Sequence, residues 1–216
     1  MDDLIFSLTP EQYKKYLELS HTKSVTLDFD FYAPSIKPYS AEEIKNMIDR
    51  LIAESNKIMA FKKNSSFFSD LSRDEIAKLL PIYYEVIDNT SKIRNKLYLE
   101  IGKISNVISE IDKALSNMNA KYSEFLPYKA ALSERCDYSQ KIFELDEGFK
   151  ENFKQLNEQK EEEYQKLLSL SNLCDVIIPD LLAESTSAAD SPSFKNFKEK
   201  KFFSAFSAFE VQIKAI

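Results

Sequence analysis

Apolar residues recur at alternating steps of three and four between residues 80 and 125. Twelve of these fourteen positions are apolar, and Thr90 and Arg94 are the two exceptions. A seven-residue repeat of this kind predicts a helix that packs one narrow apolar stripe against another helix. The stripe consists of Leu80, Tyr83, Ile87, Thr90, Arg94, Leu97, Ile101, Ile104, Ile108, Ile111, Leu115, Met118, Tyr122 and Phe125.

A second long helix is predicted from about Lys129 to Asp175, where apolar residues again recur at helical spacing. Pro127 lies between the two patterns and disfavours helical geometry at the residue before it. We therefore expect a turn between Asn119 and Tyr128, which would make the two long helices an antiparallel pair. A single kinked rod is the alternative.

Two capping boxes predict where helices begin in this part of the chain. Ser72 and Glu75 predict the start of the long helix, and Ser40 and Glu43 predict the start of a shorter helix that ends near Lys62. A third pair, Thr9 and Gln12, predicts a short helix near the N-terminus, with Pro10 at a position where its missing N–H is tolerated.

The spacing of the apolar residues changes to every second position between residues 23 and 32. Val25, Leu27, Phe29 and Phe31 alternate with polar residues, which predicts a β-strand with one buried face. A strand needs a neighbour for its backbone groups. Residues 209–215 also alternate and are the candidate within the chain, and a strand from a second subunit is the rival.

These patterns predict a mainly α protein. Its core would be a long antiparallel helical hairpin or coiled coil with a shorter packing helix, and a minor β element would lie near the N-terminus. The predicted domains are residues 1–39 for the helix and strand element, 40–183 for the helical body, 184–193 for a linker and 194–216 for a tail.

The tail is basic and aromatic. It holds five lysines against two glutamates, a local charge of +3, and six of the sixteen phenylalanines. Such a segment packs on its own protein, docks in a groove of a partner or lies in a membrane interface.

The amino-acid composition of the chain argues against several classes of function. The chain has only two glycines and lacks the glycine-rich phosphate loops, and its net charge of −6 disfavours nucleic-acid binding. Cys136 and Cys174 form no metal-binding motif, and buried free thiols are expected. The acidic N-terminus and the lack of a long apolar run predict a cytoplasmic protein.

Candidate catalytic residues are few. His21 is the only histidine and stands without a neighbouring catalytic pattern, and Asp28 and Asp30 are the only paired carboxylates on the predicted strand. An enzyme using these residues would need a concave pocket around them. We expect no catalytic activity, no metal, no cofactor and no small-molecule substrate.

The sequence therefore predicts a structural or adaptor subunit of a multiprotein assembly, whose partner is another protein or a second copy of the chain. A peripheral membrane protein that uses its tail is the alternative. The predicted partner-binding residues are Val25, Leu27, Phe29, Phe31, Phe202, Phe203, Phe206, Phe209 and Ile213.

Overall fold

The computed structural model describes residues 2–62 and 72–178, and this part of the chain is mostly helical, as predicted. No strand occurs within it. Its helices are α1 (Asp2–Phe6), α2 (Pro10–His21), α3 (Glu42–Lys62), α4 (Arg73–Leu132) and α5 (Ser139–Asn172), and a π-helical segment (Leu173–Ile177) follows α5.

The chain divides into two compact units. The first unit comprises Met1–Pro38 and Val107–Glu162, and the second comprises Tyr39–Asn106 and Glu163–Ile216. Helices α4 and α5 each contribute residues to both units. The domain division expected from the sequence is a different partition and stays a prediction, and its linker and tail lie outside the described residues.

The apolar stripe of α4 forms the buried face of that helix. From residue 87 to residue 125 every stripe position is buried or half-buried. Leu97 and Ile104 in the second unit, and Ile111 and Phe125 in the first, are 0% exposed. The seven-residue repeat therefore identified the side of α4 that contributes to the core of each unit.

Arg94, a polar position in that stripe, binds backbone and side-chain groups of the second unit. Its Nε donates to the carbonyl oxygen of Cys174 at 2.8 Å, and its Nη2 donates to Tyr98 Oη at 3.0 Å. Tyr98 in turn donates to Asp175. The arginine thus anchors the π-helical segment to α4.

Two of the three predicted capping boxes are present. Thr9 and Gln12 exchange both hydrogen bonds of the motif, as do Ser72 and Glu75. The third is not formed among the described residues. Helix α3 begins at Glu42, and Glu43 pairs with Lys103 at 3.5 Å.

The predicted turn between Asn119 and Tyr128 is wrong, because α4 continues through Pro127 and ends at Leu132. A proline in a helix has no N–H, so the carbonyl four residues earlier, that of Ser123, lacks its helical donor. Gln12 supplies one. Its Nε2 donates to Ser123 O at 2.7 Å and to Ser123 Oγ at 2.9 Å, while its Oε1 accepts from the Thr9 amide. The Gln12 side chain therefore caps α2 and also supplies the hydrogen-bond donor that the Ser123 carbonyl of α4 lacks.

This arrangement predicts energetic coupling between Gln12 and Pro127. Gln12→Ala should lower the free energy of unfolding by about 1 kcal/mol, because the Ser123 carbonyl loses its donor and the Thr9 amide loses its acceptor. In a Pro127→Ala background residue 127 has its own N–H, and the cost of Gln12→Ala should fall by about 1 kcal/mol. A double-mutant cycle measured by urea unfolding tests this. Strictly additive changes would contradict it.

Candidate functional site

The segment predicted as a strand is not confirmed as one. Residues 22–38, which we call the strap, belong to the first unit and form neither helix nor strand. The alternation nevertheless describes its burial: Leu27 and Phe31 are 8% and 4% exposed, Val25 and Phe29 are half-buried, and the residues between them are exposed. The strap thus has the inward and outward faces of a strand without a ladder.

Side chains of α4, α5 and the connecting turn bind the strap backbone. Arg135 donates to the carbonyls of Thr22 and Lys23, both at 2.8 Å, and Tyr138 Oη accepts from the Val25 amide at 2.8 Å. Three further carbonyls of the strap each accept one hydrogen bond: that of Leu27 from Lys141, that of Asp30 from Lys121 and that of Ile36 from Gln159. Long polar side chains therefore take the place of a neighbouring strand.

The inward face of the strap ends in an aromatic cluster. The Phe31 ring lies 5.4 Å from Phe125 and 5.5 Å from Phe149, centroid to centroid, both edge to face. Tyr122 stacks on Phe149 at 3.9 Å, and Phe29 meets Phe125 at 5.2 Å. Edge-to-face and stacked pairs add to the stabilisation that burial alone provides. The cluster fixes the strap against α4 and α5.

A charged network borders this cluster. Asp146, which is 6% exposed, accepts from Lys129 Nζ at 2.6 Å and from Tyr122 Oη at 2.6 Å, and Lys150 approaches it at 2.9 Å. Burial raises the pKa of Asp146, but the hydrogen bonds from Lys129, Tyr122 and Lys150 hold the net pKa below its ordinary value of 3.8. Burial, together with the hydrogen bond to Asp146, raises the pKa of Tyr122.

The outward face of the strap carries Tyr32 between two clefts. The tyrosine is 83% exposed, although Phe31 beside it is buried. The cleft on the α5 side has a volume of about 270 Å³, and residues 29–32 of the strap together with Lys141, Glu144, Leu145, Gly148 and Asn152 line it. The cleft on the α4 side has a volume of about 400 Å³, and Lys121, Asn117 and Glu124 are among its lining residues. This surface is the candidate site.

The predicted site residues fall into two groups. Val25, Leu27, Phe29 and Phe31 face the core of the first unit, where they touch its own helices. The tail residues Phe202, Phe203, Phe206, Phe209 and Ile213 lie outside the described residues. A role of either group in partner binding stays a prediction.

The candidate catalytic residues are dispersed. His21 is exposed in the last turn of α2, and Asp28 is exposed on the strap. Asp30 lines both clefts, and its Oδ1 accepts from the Tyr32 amide at 2.8 Å. Within residues 2–62 and 72–178 no group of three or more histidine, cysteine, aspartate or glutamate side chains has the arrangement of a metal site.

A separate polar cluster lies in the second unit around Tyr39. Its amide donates to Glu163 Oε1 at 3.1 Å, and its hydroxyl donates to Glu100. Burial and the hydrogen bond to Glu100 raise the pKa of Tyr39. Lys166 pairs with Glu163 at 2.8 Å. These contacts anchor the chain where it enters the second unit, before α3.

In comparisons with known proteins, no family model, no curated protein and no solved structure matches this chain. Among the described helices, none combines the length and the apolar character that a membrane crossing requires. Sequence reasoning missed Tyr32, the clefts and the Gln12 contact, because each depends on residues far apart along the chain. The sequence did contain one signal for Tyr32. It occupies a polar position in the alternating pattern of residues 23–32, and this position indicates the outward face.

Proposed function

We propose that this protein is a non-enzymatic structural or adaptor subunit of a multiprotein assembly, and that the surface around Tyr32 is a contact for its protein partner. The exposure of Tyr32 carries the proposal. A tyrosine that is 83% exposed contributes little to the core of its own unit. Tyrosine is also among the residues enriched at binding interfaces, where its ring buries a large area.

The surroundings of Tyr32 support this role. The strap backbone is held at several points by Arg135, Lys141 and Lys121, so the ring projects from an anchored segment. A contact residue on an anchored backbone loses less conformational entropy on binding than one on a free loop. The clefts on both sides leave space for side chains of the partner, and their charged residues suit the polar rim of an interface.

The long helices would act as spacers in such an assembly. We propose that α4 and α5 form an antiparallel coiled coil, either within one chain or with a second copy. Two ion pairs in the first unit support the antiparallel sense: Asp112 pairs with Lys160 at 2.7 Å, and Lys129 pairs with Asp146 at 2.6 Å. A cytoplasmic location is part of the same proposal.

Quantitative affinity purification of the full-length protein tests the role of Tyr32. Tyr32→Ser should reduce recovery of a specific partner about tenfold or more, since central aromatic contacts often contribute more than 1.4 kcal/mol. Tyr84→Ser is the matched control, because Tyr84 is 56% exposed on α4 in the other unit. Equal recovery with both variants would contradict the proposed contact.

The alternative, a membrane role for the tail, rests on its six phenylalanines and local charge of +3. Flotation with anionic vesicles separates the two functions. If the full-length protein binds vesicles and a variant with Phe202, Phe206 and Phe209 changed to serine does not, the membrane role is favoured. If neither protein floats with the vesicles, the adaptor role stands alone.

A further inference from the structure

The α5-side cleft has the walls and the volume of a site for one aromatic side chain. Tyr32, Leu145 and Gly148 are among its lining residues, and its volume is about 270 Å³. A cavity of about 150 Å³ is enough to hold a benzene ring. Tyr32 is exposed, Leu145 and Gly148 are half-buried, and a Cβ atom added at Gly148 would meet nothing within 4 Å. These walls are therefore open to solvent and leave room for a phenyl ring.

The charges that line the two clefts nearly cancel, whereas the first unit as a whole is acidic. The lining residues include three carboxylates and two lysines, and each lysine donates to a carbonyl of the strap at 3.3 Å. The carboxylates are Asp30, Glu124 and Glu144, and the lysines are Lys121 and Lys141. The first unit contains 18 aspartates and glutamates and 12 lysines and arginines, so it carries a net charge equal to the −6 of the whole chain. A segment that combines aromatic with basic residues complements this unit.

The tail of the chain has this composition. Residues 194–216 hold six phenylalanines and a local charge of +3. Fifteen residues separate the tail from Ile178, the last residue that the structure describes, and these can span at most about 50 Å. That span exceeds the diameter of a small domain, which is about 30 Å. The tail is therefore long enough to reach a site on a neighbouring molecule.

We infer that the α5-side cleft of one molecule binds the tail of a second copy, and that a phenylalanine of the tail fills the cleft beside Leu145 and Gly148. The ring supplies apolar area to the contact, and the lysines of the tail are attracted to the acidic unit. Because each copy carries both the cleft and the tail, the contact joins two molecules head to tail. This inference rests on the proposed function and names a second copy of the chain as the partner.

Sedimentation of the full-length protein over a range of concentrations tests the inference. The wild type should associate. The tail variant, in which Phe202, Phe206 and Phe209 are changed to serine, should associate about tenfold more weakly or less, because a central aromatic contact commonly contributes that much.

The cleft is tested by Gly148→Leu, which fills it and should weaken association by a similar factor. Gly102→Leu is the matched control, because Gly102 lies on α4 in the other unit and also has open space around it. This control should associate as the wild type does.

A mixture of the two deficient proteins gives the sharpest test. The tail variant keeps an intact cleft, and Gly148→Leu keeps an intact tail. If the tail of one copy binds the cleft of another, the mixture should form an equimolar complex at concentrations at which each variant alone is a monomer. A protein that carries both sets of changes should stay monomeric when it is mixed with the tail variant.

A labelled peptide of residues 194–216 makes the test independent of the folding of Gly148→Leu. The full-length tail variant should bind this peptide. It should bind a peptide with the same three phenylalanines changed to serine about tenfold more weakly.

Three results would overturn the inference: a wild type that stays monomeric, association that survives in the tail variant, or a mixture with folded Gly148→Leu that does not associate. A monomeric protein whose tail carries it to anionic vesicles would assign the tail to a membrane instead. If a different protein is recovered through Tyr32 but any of these results is found, the adaptor function stands and docking of the tail is wrong. If the mixture associates but Tyr32→Ser leaves partner recovery intact, the tail binds the cleft and the proposed contact at Tyr32 is wrong.

Discussion

Phe31→Ala should lower the free energy of unfolding of the first unit by about 4 kcal/mol, the range found when a buried phenylalanine is truncated. Phe31 is 4% exposed, and its ring contacts Phe125, Phe149 and Tyr122. Truncation removes the apolar burial and leaves a cavity that the surrounding rings fill only in part. Urea unfolding followed by circular dichroism measures the loss.

Tyr32→Ala is the control for Phe31→Ala. The two aromatic residues are adjacent on the strap, but Tyr32 is 83% exposed. Its truncation should change the free energy of unfolding by less than about 0.5 kcal/mol, as most surface substitutions do. Similar losses for the two variants would show that the strap is not packed with Phe31 inward, and the described site would be wrong.

Asp146→Ala should lower the free energy of unfolding of the first unit by about 3 kcal/mol, because the half-buried Lys129 loses its carboxylate partner and keeps only the Tyr122 hydroxyl at 3.2 Å. The side chain of Asp146 is 8% exposed and that of Lys129 is 24% exposed. The partial exposure of Lys129 places the expected cost at the lower end of the range for a broken buried pair. Urea unfolding at neutral pH measures it.

Asp112→Ala is the control for Asp146→Ala, because Asp112 pairs with Lys160 in the same unit. The side chains of that pair are 50% and 39% exposed. Its loss should cost less than about 1 kcal/mol, as measured for exposed ion pairs. If the two aspartate variants lose equal stability, the network around Asp146 does not act as a buried one.

The stabilising effect of Asp146 should depend on pH. Its pKa in the folded protein lies below the ordinary value of 3.8, so the charged form is favoured by folding. Its contribution is therefore fully present above pH 3.8 and is lost as the pH falls through the folded pKa. The stability difference between the wild type and Asp146→Asn should stay constant from about pH 7 to about pH 5 and shrink below about pH 4.

The helices could be predicted from the sequence, because the spacing of apolar residues along a helix is set by residues that are close together in the chain. The repeat marked Leu97, Ile104 and Phe125 as core positions, and their burial confirms it. The end of α4 could not be predicted from the sequence. Pro127 is a local signal for a stop, but its effect is offset by Gln12, a residue more than a hundred positions away in the chain.

The strap shows a second kind of limit to sequence patterns. Alternation reports which side chains face inward, and it predicted the burial of Leu27 and Phe31 correctly. It carries no information about what binds the backbone. A strand and a segment held by Arg135, Lys141 and Lys121 have the same apolar period, so the predicted strand could not be distinguished from the strap.

Residue-resolved amide hydrogen exchange of the purified protein tests the structure of the strap most directly. The Val25 amide, which donates to Tyr138, should exchange slowly, and the amides of residues 26–31 should exchange rapidly, because hydrogen bonding is the main source of protection. Slow exchange at every second residue between 26 and 31 would reveal a paired strand and contradict the account. Rapid exchange at Val25 as well would show that the strap is not held by the helices.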